Sequence, residues 1–126
     1  MVAATAGALV GAYLLTQPAA ALQRVGVTTP GSWATAEARG FGGGLLAAHA
    51  LTAATLMQAP RFGACFAAAL AALWWGAAFG KLISLLRDRP RSRAAAVTLA
   101  LDSAMALALA APLWAYLRIL RAHAGF

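Results

Sequence analysis

The chain has 126 residues, enough for one domain at most. Hydrophobic residues make up 63% of it and charged residues 10%, against roughly 45–50% and 25% in an ordinary soluble domain. Ten Lys/Arg and three Asp/Glu cannot cover a soluble surface, and a disordered chain does not carry this much apolar surface, so both classes are excluded and an integral membrane protein is expected.

The formal net charge of +7 raises nucleic acid as a partner. The distribution argues against it. Basic residues flank long apolar runs, five of the ten lie from Lys81 to Arg93, and no basic stripe alternates with aromatics. Positive charge beside apolar spans reads instead as topology signal and contact with anionic lipid, here at Arg87, Arg89, Arg91 and Arg93.

Charge-free windows at 1–23, 40–60 and 62–80, and a fourth apolar stretch holding only Asp102 between Arg93 and Arg118, predict four spans. The first, at about residues 2–17, is the shortest. Its small-residue run at 19–21 mimics a signal-peptide cleavage site, but no Lys or Arg precedes Arg24, so a retained span is expected. Pro18 ends or kinks it by removing an amide donor. Residues 19–27 then read as a short interfacial piece and 28–32 as a loop rich in turn formers, with Ser32 as N-cap of the next helix. The second span covers about 40–59, the third about 62–86, and the fourth about 94–117, after a polar hairpin at 87–93. The alternation of barrel strands is absent. The expected architecture is all-α, a single integral membrane four-helix transmembrane bundle over residues 1–126.

Seven Lys/Arg (Arg24, Arg39, Lys81, Arg87, Arg89, Arg91, Arg93) fall on one face and three (Arg61, Arg118, Arg121) on the other. The first face is expected to be cytoplasmic in a bacterial-type inner membrane, with both termini outside. Trp33 fits an aromatic belt on the cytoplasmic side, and Trp114 with Tyr116 one on the far side. Glycines four apart, at Gly7/Gly11, Gly40/Gly44 and Gly76/Gly80, predict close helix packing, because van der Waals contact drives association in lipid. Cys65 stands alone, which excludes an intramolecular disulfide, and is expected to pack as a small hydrophobe.

Glu37-Ala38-Arg39-Gly40-Phe41-Gly42-Gly43 opens the second span, Gly80-Lys81-Leu82-Ile83-Ser84 closes the third, and Asp102 follows early in the fourth. This order resembles a family of small bacterial four-helix membrane proteins known only as a domain of unknown function, and is similar in layout to the DoxX-like group. The family pattern has Arg at the place of Lys81 and Glu at the place of Asp102, and both departures keep the sign of the charge. The resemblance implies four spans and a membrane location, and no established activity.

Ionisable side chains within membrane spans are candidates for function. At 1.5 Å per residue, Asp102 lies roughly 13 Å in from Arg93, His49 roughly 15 Å in from Arg39, and Lys81 roughly 9 Å in from Arg87. Ser84 lies one turn from Lys81, with Arg39 and Glu37 at the mouth. Together these form a candidate intramembrane polar pocket. For Lys81 the bland alternative is a stem reaching to the interface, and for His49 a packed histidine. Asp102 is too short to reach water, so it must be paired or protonated, with Lys81 the preferred partner by charge and His49 by depth. Trp74 and Trp75 lie mid-span, where packing is favoured over a lipophile pocket. No catalytic residue, metal site or cofactor is expected: the chain has no His-x-x-x-His or Cys pair, its Gly-rich stretch follows no strand, and Leu82 replaces the Ser/Thr of a phosphate loop. The expected role is a small structural or accessory membrane component contacting lipid, a larger complex or its own copies. The alternative is a binder or carrier of a small lipophile, such as a quinone or sterol-like lipid. A third reading, a proton-coupled exporter resembling the four-span multidrug exporters, is disfavoured because the first span has no acid.

Overall fold

The computed structural model describes residues 1–87 and 93–124. Among them every regular element is an α-helix: α1 Val2–Thr16, α2 Pro18–Arg24, α3 Ser32–Gln58, α4 Pro60–Arg87 and α5 Arg93–Ala124. The middle of the polar hairpin lies outside the described residues, and with it Arg89 and Arg91 of the expected lipid contacts. Three helices, α3, α4 and α5, are long and apolar enough to cross a bilayer. Helix α1 has 15 residues, or about 22 Å at 1.5 Å per residue, short of a hydrocarbon core of about 30 Å. It meets α2 at 109°, and the two add a fourth span only if the bent pair counts as one.

The chain divides into two compact units, Met1–Ala54 and Thr55–Phe126, with the boundary inside α3. In the first unit, the bend between α1 and α2 is built from Gln17 and Pro18. The Gln17 amide donates to the Tyr13 carbonyl (2.8 Å), while Gln17 itself leaves helical geometry at φ −126° and ψ 52°. Pro18 takes the first position of α2, where its missing amide has no partner to lose. Helix α2 ends in a Schellman motif. The Val27 amide reaches the Leu22 carbonyl (3.0 Å) and the Gly26 amide the Gln23 carbonyl (3.0 Å), around Gly26 at φ +98°. Helix α3 begins at Ser32, whose preceding residue Gly31 accepts the Thr35 amide (3.1 Å). Gly31, not Ser32, therefore stands at the capping position. The helix also starts well before the charge-free window, so Glu37 and Arg39 ride exposed on its first turns.

Helices α1 and α3 pack antiparallel. Side chains on α1 are buried at Ala4, Gly7 and Gly11, and on α3 at Gly42, Leu45, His49 and Thr52, both at the three-and-four spacing of one helix face. A Cβ at Gly7 would fall 2.1 Å from His49 Cδ2, one at Gly11 2.4 Å from the Leu46 backbone nitrogen, and one at Gly42 2.6 Å from the Leu15 backbone nitrogen. The two backbones touch because three glycines leave no side chain between them.

In the second unit a single residue, Ala59, joins the end of α3 to α4. The Ala59 amide donates to Thr55 (2.8 Å) and the Gly63 amide to the Ala59 carbonyl (3.0 Å), with Pro60 again in the first helical position. Gly63 makes the tight connection possible, since a Cβ there would sit 2.4 Å from the Leu56 backbone nitrogen. The buried face of α4 is small: Gly63, Ala64, Ala67, Ala71 and Ala78, with Leu70. On α5 the buried residues are Asp102, Ala106 and Leu109. The large apolar side chains point outward, among them Phe62, Leu73, Phe79 and Leu86 on α4 and Leu101, Leu107 and Trp114 on α5. Small residues within and bulky apolar ones without is the arrangement suited to a lipid surround. Cys65 corrects the expectation of packing: it is exposed, one residue round the helix from buried Ala64. Helix α5 runs past the expected end of the fourth span and carries Arg118 and Arg121 exposed on its last turns. Pro112 lies inside it without ending it.

Candidate functional site

The charged pair of the second unit is set by the facing registers of α4 and α5. Lys81 Nζ lies 2.6 Å from Asp102 Oδ2. About one turn from the pair on each helix stand Ala78 and Ala106, both buried, and small residues at such positions let helices approach closely. The burial is unequal: the Asp102 side chain is 8% exposed, that of Lys81 41%. Oδ2 receives no aligned hydrogen bond among the described residues, so the contact is an ion pair held by charge and distance. Ser84, one turn along α4, is half-buried. On α5 the neighbouring hydroxyls turn to their own helix: Thr98 donates to the Ala95 carbonyl (3.1 Å) and Ser103 to the Leu99 carbonyl (2.9 Å). Trp74 is half-buried and Trp75 exposed, so Trp75 does not take the packing role expected of it.

In the first unit His49 has no exposed surface. Its Nδ1 lies 2.8 Å from the Leu45 carbonyl oxygen, which can only accept, so Nδ1 carries the proton. The ring lies against Gly7, close enough to exclude any side chain there. Thr52, one turn on, is equally buried and donates to the Ala48 carbonyl (2.8 Å). Glu37 and Arg39 are exposed on the same helix. Of the six residues expected in one polar pocket, the structure therefore joins Lys81 and Asp102 directly and sets Ser84 beside them in the second unit. His49 is buried in the first unit, and Glu37 and Arg39 stand on that unit's surface.

The six glycines expected to pack helices divide likewise. Gly7 and Gly11 take the role. Gly40, Gly44, Gly76 and Gly80 do not: a Cβ on any of them meets nothing within 4 Å. The reason is phase. Gly42 lies two residues from both Gly40 and Gly44, about 200° round the helix, and Ala78 stands in the same relation to Gly76 and Gly80. Gly42, Gly63 and the alanines of α4 carry the packing instead. Sequence reading also missed the Arg24 guanidinium, which stands 5.0 Å from the centre of the Tyr13 ring and ties α2 back to α1. The spacing across the Pro18 turn was its available signal. Among the described residues no three His, Cys, Asp or Glu side chains gather to hold a metal ion.

No family model, curated protein or solved structure matches the chain.

Proposed function

We propose that the chain is a four-helix bundle of a bacterial-type inner membrane, with α1 and α2 together supplying the short fourth span. The 87–93 hairpin faces the cytoplasm and both termini lie outside. The protein acts as a small structural or accessory component that contacts lipid, a larger complex or further copies of itself, without catalysis of its own. The observation that carries this reading is the Lys81–Asp102 pair, in which a buried acid is spent on holding two helices together. The outward bulk of α4 and α5 supports the membrane placement, the split of Lys/Arg supports the orientation, and the resemblance to the small four-helix family supports the fourth span. Native mass spectrometry of the gently extracted protein tests the role. An assembly with further copies or a larger partner is expected, and a monomer free of lipid and partner would overturn it.

A second reading, a binder of a small lipophile, is favoured by one observation: the lysine side chain of the pair is 41% exposed.

A further inference from the structure

We infer that the outward side of the Lys81–Asp102 pair is a binding site for a neutral lipophile carrying a carbonyl oxygen. The inference rests on the membrane placement proposed above and names the ligand chemistry of the second reading. Lys81 is the only lysine of the chain. Its ammonium has three N–H donors. Asp102 is the one described group within ion-pair distance of it, and that contact occupies one side. The Lys81 side chain is 41% exposed, and the surface around it is apolar: Phe79, Leu82 and Ile83 flank Lys81 on α4, and Leu101 stands exposed beside Asp102 on α5. In hydrocarbon no water satisfies the remaining donors, and leaving them bare is costly. An acceptor carried in the lipid phase can meet them.

Charge selects the kind of acceptor. The pair is neutral as a unit, so a phosphate or free carboxylate would bring an uncompensated negative charge into low dielectric and compete with Asp102 for the same ammonium. A carbonyl oxygen accepts the free N–H without disturbing the pair, and its apolar body lies on the flanking Phe, Leu and Ile side chains. Depth agrees. Pairing draws the lysine head inward from its own position, about 9 Å from Arg87, to the level of Asp102, about 13 Å from Arg93. The ring of a quinone can carry a carbonyl to that depth, whereas the ester of a glycerolipid lies at the edge of the hydrocarbon.

The single lysine makes the test direct. The full chain with Asp88→Asn is prepared in maltoside micelles, whose detergent has no carbonyl, with the lysine side-chain nitrogen isotopically labelled. Solid-state dipolar recoupling then reports carbonyl carbons near that nitrogen. One sample receives a stoichiometric diester phosphatidylcholine labelled at its carbonyls, another decylubiquinone labelled at its ring carbonyls, and a third contains carboxyl-labelled Asp102 alone. Loss of lysine signal is expected in the third sample and in the decylubiquinone sample, and loss with the phosphatidylcholine alone would place the ammonium at the edge of the hydrocarbon and overturn the site. Signal loss from Asp102 with none from either lipophile would overturn the site and leave the ion pair standing. No loss from Asp102 would remove the pair and the site together. In a Lys81→Met, Ile83→Lys chain the relocated lysine should show no carbonyl contact, and equal contact there would reduce the effect to general lipid proximity and sink the proposal. Membrane placement is read separately, from retention of the chain in alkali-washed membranes.

Discussion

Asp102 is the one acid of α5, and its carboxylate is nearly shut from the surface while its partner is not. This asymmetry predicts unequal mutants. Lys81→Met strands a buried anion, which must take up a proton or lose its packing. Asp102→Asn strands a cation that already has a way out. Breaking a fully buried pair costs about 3–5 kcal/mol, and the partial exposure of Lys81 places this pair at or below the lower bound. In a thermal unfolding series Lys81→Met should be the more damaging single change, and the double mutant should lose less than the sum of the two. Strict additivity would mean that the pair carries no coupling. A second residue-level prediction concerns Gly7. The His49 ring occupies the space of any Cβ there and is held by its bond to Leu45, so Gly7→Ala should destabilise by about 1–3 kcal/mol as overpacking. Adding His49→Ala should recover much of that loss. Failure of the second change to rescue the first would show that the ring moves aside freely.

At the scale of elements, the phase of the glycines decides which of them matter. Gly11→Ala, Gly42→Ala and Gly63→Ala each drive a methyl into backbone that cannot turn away, and loss of a monodisperse species in mild detergent is expected for each. Gly40→Ala and Gly80→Ala meet open space, so they should instead stabilise by about 0.5–1 kcal/mol through the helix preference of alanine over glycine. A destabilising result at Gly40 or Gly80 would point to a neighbour beyond the single chain. Much of the element plan was legible in the sequence, because charge and proline punctuate it. Pro18, Pro60 and the arginines of the hairpin mark helix ends that hold to within a residue or two. The phase of packing was not legible. In a chain this rich in alanine, glycine spacing cannot tell one small face from another, and Ala67, Ala71 and Ala78 do on α4 what Gly76 and Gly80 were expected to do. The Lys81–Asp102 pair was legible through the sign of the charges, whereas depth alone favoured His49. The seat of His49 on Gly7 was not, since it depends on the register of two helices far apart in sequence.

For the whole molecule the property to test is sidedness. The seven-to-three division of Lys/Arg predicts that the 87–93 hairpin faces the cytoplasm. A thiol reporter needs the native cysteine removed first, because Cys65 is exposed on α4. In a Cys65→Ala background, Ser92→Cys should resist a membrane-impermeant thiol reagent in intact cells and react after permeabilisation. Ready labelling of intact cells would invert the orientation while leaving the helices unchanged.

The place of the ion pair, on consecutive helices one hairpin apart, bears on how such a chain gets into a bilayer at all. A lone lysine in α4 or a lone aspartate in α5 is a penalty for a helix leaving the translocation machinery by itself. With the membrane placement proposed above, the two joined beforehand would enter as one electrically silent object, and the second helix would become a condition for the first to settle. A chain truncated after α4 should therefore accumulate in membranes less efficiently than the full chain, and Lys81→Met should restore it. Synthesis order and charge would then do together what neither helix does alone.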